Sequence, residues 1–484
     1  MSARPHAGPM AMAPGDARVT VSRTAAELEA ALARARAARD RVLAEATNDD
    51  VVGALATTAA RWSDPALPAR ASVVDELARA LAIAPQMLAR CLDNTFSVVT
   101  ADSLGALIAA EAQSPPALER AIARPDGTRA RLLGPPVVVH LLAGNVTGLA
   151  IAPIVACLLA RSVCVVRDSS RQPLLTAAFV ETLADLAPEL ADMVVVAGWA
   201  HSERAAGVSA AEDIARGGGS PTGEGSEHAA ATAPAHDVME VERVLAADAD
   251  RVEISGGDAT VAMLAARYPA GSVVERGSRL SVALVGAGVS PERWAGALAE
   301  DMVLHEGLGC LSPHTIIVEG DDHARAVAHA LAGELDRTEL RWPRRARSVE
   351  LEASRRAFIG AAEMSSLARS DEMLLRGSDD AWCVHVCQGA RPATGPGLRC
   401  ITIVPADDRE GALRLLQRTD VALAGVGLAL DDPAHARDEL VDRLRELGAT
   451  LVCAAGEMQR PPIAWQQDGR RRLGDLLAWH EVGA

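Results

Sequence analysis

Aromatic side chains are scarce: one Tyr, three Phe and seven Trp make up 2% of the 484 residues. Leu, Val and Ala must fill the core, and the stacking platforms that hold single-stranded nucleic acid are excluded. Positive charge is short as well, with 48 Lys and Arg against 64 Asp and Glu and a formal balance of −16. That balance argues against a general phosphate-binding surface and against nucleic acid as a partner. The eight cysteines, at 91, 157, 164, 310, 383, 387, 400 and 453, form no Cys-x-x-Cys pair and lack the density of a disulfide scaffold. Reduced thiols in a cytoplasmic protein are expected. The most hydrophobic stretch, 149–166, is interrupted by Pro153 and Arg161, and the opening "MSARPHAGPMAMAPGD" has no continuous apolar core, so no membrane span is predicted. The Gly-x-Gly-x-x-Gly fingerprint is absent too.

The length invites two or three domains. Residues 1–20 read as a disordered arm and 21–125 as a helical region, opened by the periodic "TAAELEAALARARAARDRVLAEA". From 126 to 275 short apolar runs alternate with amphipathic stretches: "PPVVVHLLAG" as strand, "VTGLAIAPIVACLLAR" as helix, "SVCVVRDSS" as strand and turn. This is the pattern of a parallel sheet covered by helices, a nucleotide-binding α/β domain. It is broken by a Gly/Ser/Ala-rich tract, 216–236, whose composition suits a flexible surface insertion. A second α/β domain is expected over 276–454, with 455–484 returning to the first.

Within this frame "HEGLGCLSPHT" (305–315) sets Cys310 in a loop before a strand-like run. A structural cysteine would sit inside the strand, so the loop position points to thiol chemistry. "ISGGDATV" (254–261) places Ser255, Gly256 and Gly257 between strand and helix, where bare N–H groups and the helix dipole can meet a phosphate, or where glycines merely reverse the chain. Arg167, in "VVRDSS" with Ser169, ends another strand and reads as a ribose contact or a solvated arginine. Asn145 in "HLLAGNVTG" is either an N-cap or an amide donor to an oxyanion. Glu275 in "VVERGSRLS" is either an exposed turn residue or a proton carrier. In "CVHVC", Cys383, His385 and Cys387 share one face without a fourth ligand nearby; they read as packing residues, and no metal is expected.

Taken together, the order of Asn145, the Gly-Gly turn, Glu275 and Cys310 resembles the aldehyde dehydrogenase superfamily. Within it, "HLLAGNVTGLA", "GCLSPHTIIVEG" and "RPPIAWQQDGRRRLGDLLAWHEV" are similar to the LuxC-type fatty acyl-CoA reductases, from about residue 100 to the end. The resemblance implies an aldehyde dehydrogenase-like α/β fold and NADPH-dependent reduction of an acyl thioester to an aldehyde through an acyl-Cys310 intermediate. It also implies an oxyanion hole from Asn145 and the Cys310 N–H, and a cofactor held by Arg167, Ser169, Ser255, Gly256 and Gly257. The implied partners are acyl-CoA or an acyl carrier, an acyl-transferring protein, and further copies of the chain in a homo-oligomer. Two departures stand out: Arg167 replaces the superfamily's lysine, which favours NADPH, and Gly307 replaces its usual glutamine. Oxidative aldehyde dehydrogenation, which would need Glu275 to activate water, and non-catalytic acyl binding on the same fold are the alternatives.

Overall fold

The computed structural model describes residues 21–124, 127–167, 173–198, 235–345, 347–431 and 434–482. The predicted arm, Ser169 and most of the 216–236 tract lie outside them. The tract's last two residues open the helix Ala235–Asp248.

Five helices lead the chain: Ala25–Glu45, Asn48–Ser63, Pro68–Ala80, Pro85–Ser97 and Ala101–Glu111. Their starts are written locally. Thr24, Thr47 and Thr100 each accept a backbone N–H three residues on and donate their own N–H to that residue's side chain, while Pro68 and Pro85 occupy first-turn positions that need no N–H. Two of the few aromatics lie here. Trp62 stacks on Phe96 with centroids 5.5 Å apart, and Phe96 stacks on Phe179 at 5.8 Å, tying the helical region to the helix Pro173–Ala184.

The first sheet runs in spatial order Val194–Ala197, Val163–Arg167, Val137–Leu141, Arg251–Ser255, Val273–Arg276, all parallel. Its strand order reverses between Val137–Leu141 and Arg251–Ser255, the crevice where open parallel sheets bind ligands. Both faces are covered, which is why Val137–Leu141 and Val163–Arg167 are buried along their whole length.

The second sheet runs Met373–Arg376, Cys383–Val386, Cys400–Ala406, Thr315–Glu319, Leu280–Val285, Leu423–Ala429, Leu451–Ala454, parallel except for its first strand. A third, antiparallel sheet pairs Ala478–Val482 with Arg129–Leu133, so the C-terminal segment returns to the entrance of the first sheet.

One predicted helix starts late. Residues 145–150 form turns, and the helix is Ile151–Leu159 with Ala150 as its N-cap. Gly148 causes the delay: its φ is +80°, and a Cβ there would lie 2.8 Å from the Thr95 side chain. Pro153 then falls in the first turn, where it is tolerated. Among the described residues no helix is long and apolar enough to cross a membrane.

Candidate active site

Cys310 follows the helix Pro291–Val303 and a 3-10 turn, Leu304–Gly307, whose backbone is unusual. His305, Glu306 and Gly307 all have left-handed φ, at 56°, 56° and 67°, and so do the facing Gly397, Leu398 and Arg399, at 64°, 52° and 63°. The two segments lock together. Leu398 N–H donates to the Glu306 carbonyl at 2.7 Å, and a Cβ on Gly397 would fall 2.5 Å from the Gly307 oxygen, so only glycine fits. Left-handed backbone at a non-glycine residue costs on the order of 1–2 kcal/mol. Here a buried ion pair holds it: the fully buried Glu306 carboxylate receives Arg399 Nη2 at 3.1 Å and Nε at 3.2 Å, and Arg399 also pairs with Glu339. His314 adds a brace by accepting the Gly395 N–H on Nδ1 at 2.8 Å, which leaves Nε2–H to donate to the Gly307 carbonyl at 3.1 Å. Downstream, Ser281 Oγ donates to the Cys310 carbonyl at 2.7 Å. The thiol thus stands on a rigid support.

Of the eight cysteines only Cys310 is exposed. It lies on the wall of an open cavity lined by the helix Pro85–Ser97, the 146–156 segment, the crevice of the first sheet and residues 459–476. The surrounding walls push the thiol up to about 11; the Asp468 carboxylate adds to that, and the N–H groups of Cys310 and Leu311 oppose it. Gln459 joins the C-terminal segment to the thiol loop, with Nε2 donating to Asp301 O at 3.1 Å and to Ser312 Oγ at 3.3 Å.

Asn145 is not the N-cap of the following helix. It is exposed, and Nδ2 donates to the Leu308 carbonyl at 2.5 Å, bridging the first strand–helix loop to the cysteine loop. Ser255 lines the cavity. Gly256 and Gly257 make the turn into the helix Asp258–Ala265, and Gly257 is an N-cap with φ −67° and no side-chain cap. Neither glycine has positive φ, and a Cβ on Gly256 would meet nothing closer than 3.9 Å. The fold itself therefore does not require a glycine side-chain gap at 256; the Gly256 N–H donates to the Arg276 carbonyl at 3.2 Å, and the uncapped N–H groups belong to the helix start that follows it. Arg167 is buried at the end of its strand.

Glu275 is not brought to this cavity. Sheet register pairs it with Ile254, on the opposite face from Ser255 and Arg276, and it is exposed. The cavity-facing side instead carries His140, Glu253 and Arg276. Arg276 Nη2 lies 3.0 Å and Arg251 Nη2 3.0 Å from Glu253, and Arg276 reaches Asp468 at 3.4 Å. Burial works against ionisation of Glu253, but His140, Arg276 and Arg251 outweigh it and hold the carboxyl at about 2. These residues were missed in the sequence, although a charge in the middle of "RVEIS" and a histidine in "VVVHLL" are out of place in buried strands.

In "CVHVC" Cys383 parts from the other two, while His385 and Cys387 both meet Glu372. Cys383 packs against Cys400, while Glu372 accepts from Cys387 Sγ at 3.3 Å and lies 3.1 Å from His385 Nε2. Arg369 Nε, 3.0 Å from Glu372, supplies the positive charge that this carboxylate faces.

Over residues 43–220 and 234–479 the chain matches the family described as acyl-CoA reductase (LuxC). No curated protein matches it in sequence. Solved structures are similar in fold at low identity. The putative aldehyde dehydrogenase PutA from Anabaena variabilis is 16% identical with a TM-score of 0.62, covering 95% of this chain and 92% of that one. An aldehyde dehydrogenase from Mycobacterium tuberculosis, complexed with NAD+, is 14% identical with a TM-score of 0.65, covering 96% and 91%. A succinic semialdehyde dehydrogenase from Streptococcus pyogenes, in complex with NADP+, is 11% identical with a TM-score of 0.65, covering 96% of both chains. The likeness shows an aldehyde dehydrogenase-like α/β fold.

Proposed function

Because the chain belongs to the acyl-CoA reductase (LuxC) family, and so among oxidoreductases of acyl and aldehyde groups, we propose that it reduces an acyl thioester to an aldehyde with NADPH, through an acyl group carried on Cys310. The observation that carries this reading is the exposed thiol on a braced loop in a cavity with no free carboxylate base. Among the described residues the one acidic side chain lining it, Glu253, is held ionised by two arginines, and a carboxyl held at about 2 is a poor base for water. Such a site suits acyl transfer and reduction better than hydrolysis.

In the first step Cys310 Sγ attacks the thioester carbonyl, the carbon–sulfur bond to the donor breaks, and the thiol proton leaves with the departing thiolate. Exchange of one thioester for another costs little. The side-chain amide of Asn145 has two N–H donors; one is taken by Leu308 O, and the second would serve the oxyanion beside the Cys310 N–H. Each such donor is worth about 3 kcal/mol of barrier. When bound, the dihydronicotinamide supplies the hydride that converts the acyl carbon to an aldehyde. Cys310 then departs as thiolate. Ser255, Gly256 and Gly257 would hold the cofactor's phosphates, and the Arg167 guanidinium suits a 2′-phosphate.

Mass spectrometry after mixing with acyl-CoA tests the reading. Expected is one acyl adduct on Cys310, absent in Cys310→Ser and discharged as aldehyde on adding NADPH. Aldehyde oxidation without thioester reduction would replace the reading with the oxidative one, and absence of any adduct would favour an acyl-binding protein.

A further inference from the structure

Three buried polar side chains line the same cavity as Cys310 and have no role in the chemistry above. Asn94 and His305 are each 6% exposed and Thr147 2%. They come from three different elements that touch one another. Thr95, beside Asn94 on the helix Pro85–Ser97, packs on Gly148, and the Thr147 N–H donates to His305 Nδ1 at 3.4 Å.

Among the described residues the Asn94 amide, the Thr147 hydroxyl and His305 Nε2 have no hydrogen-bond partner. None of these polar atoms is sealed from solvent, and all three residues line the cavity, so their partners come from water or a ligand held there. The tautomer of His305 follows from its geometry. Because Nδ1 accepts, the proton sits on Nε2, and burial pushes the ring down to about 4, so it stays neutral. It offers a fixed, uncharged N–H donor. Around this trio the wall is apolar, with Val98, Val99, Ile151 and Leu476.

We propose that Asn94, Thr147 and His305 form a subsite for an uncharged oxygen in the acyl chain, so that this protein prefers hydroxy- or oxo-acyl thioesters over plain fatty acyl thioesters of equal length. This rests on the thioester reductase reading. A charged group is disfavoured there, because no ion-pairing partner stands beside the three side chains. An apolar methylene would strand three polar groups, whereas an oxygen acceptor satisfies the imidazole N–H and the amide together. The amide oxygens of a pantetheine arm offer similar chemistry from the donor side of the thioester.

The test compares kcat/KM for a straight-chain acyl-CoA with its hydroxylated and oxo counterparts of the same carbon count, in the wild type and in Asn94→Leu and Thr147→Val. Expected is a wild-type preference of about tenfold for an oxygenated chain, the worth of a neutral hydrogen bond, with the ratio collapsing toward one in both variants. Using the ratio cancels any shared loss from altered folding. The preference should persist when the same acyl groups are carried on benzyl mercaptan, which has no amide. Its disappearance there assigns the subsite to the pantetheine arm and overturns the proposal, as does a wild-type ratio near one. If the wild type turns over none of these thioesters, the reductase reading has failed. Calorimetric binding of the matched acyl-CoA pair to the same protein then judges the subsite, with a roughly tenfold tighter oxygenated ligand expected and equal affinities overturning it.

Discussion

The reactivity of Cys310 can be worked out before any substrate is known. Its thiol stands at about 11 against an ordinary 9.0, a difference of about two pK units. At pH 7.5 this lowers the thiolate fraction by at most about a hundredfold, since solvent at the exposed wall screens part of the effect. A more basic thiolate is also more nucleophilic, with a Brønsted slope near 0.45, which returns a factor of about eight. Alkylation by iodoacetamide at pH 7.5 should therefore run about tenfold slower than for an unperturbed thiol, with a rate still climbing tenfold per pH unit beyond pH 9. The assay follows the Cys310 peptide by mass spectrometry between pH 6.5 and 10; the other seven cysteines are buried or partly buried in the native protein and remain slow. Asp468→Asn should shift the whole profile to lower pH, because it removes a negative charge and leaves Arg276 and Arg279 less neutralised. A plateau below pH 8 in the wild type, or no shift in the variant, would refute the reasoning.

Other outcomes follow from the same geometry. Glu306→Gln leaves the buried Arg399 with only the Glu339 carboxylate and should cost less than the about 3–5 kcal/mol of a wholly uncompensated charge in urea unfolding, with loss of selective Cys310 labelling because the loop's brace is weakened. Gly307→Ala introduces a Cβ 2.8 Å from Met302 O at φ +67° and should destabilise by at least about 1–2 kcal/mol, read in the same titration. Glu275→Gln should change thioester reduction by only a few-fold, against the roughly 10²–10⁴-fold loss that removal of a general base brings.

Asp301 adds a pH dependence. Burial pushes its carboxyl up to about 7 against the pull of N–H groups from Gly456 and Met458. A raised carboxyl stabilises the fold in its protonated form, fully below the unfolded value near 3.8, and that contribution fades as pH rises through about 7. Wild type minus Asp301→Asn should therefore show about 2.5 kcal/mol more stability at pH 5 than at pH 8 in paired denaturation curves.

The parallel alternation and the thiol loop were legible in the sequence because each is written in a contiguous stretch. Valine runs buried on both faces announce the first sheet, whereas the helix starts that the structure shows at 24, 47, 68, 85 and 100 are covered only by the helical reading of 21–125. The left-handed brace was not legible. Nothing in "HEG" demands φ near 56° until Gly397, Leu398 and Arg399, some ninety residues on, close over it. The cavity-facing charges were hidden for a related reason. Whether Glu275 or Arg276 faces the crevice depends on strand register, and a shift of one residue exchanges the two faces. The buried trio of Asn94, Thr147 and His305 depends on contacts among three distant segments, so each member alone reads as an unremarkable polar residue.

The clasp between Ala478–Val482 and Arg129–Leu133 ties down the tail of the chain. Every strand of both large sheets has been synthesised by Ala454, yet Gln459, Pro461, Ile463, Trp465 and Leu476 still belong to the missing wall of the cavity. Without residues 455–476 Cys310 would stand in an open trough, lacking the Gln459 tether and the nearby Asp468 charge. The tail therefore completes the site: the Gln459 tether and the Asp468 charge reach the Cys310 loop only when residues 459–476 lie folded back against the first sheet.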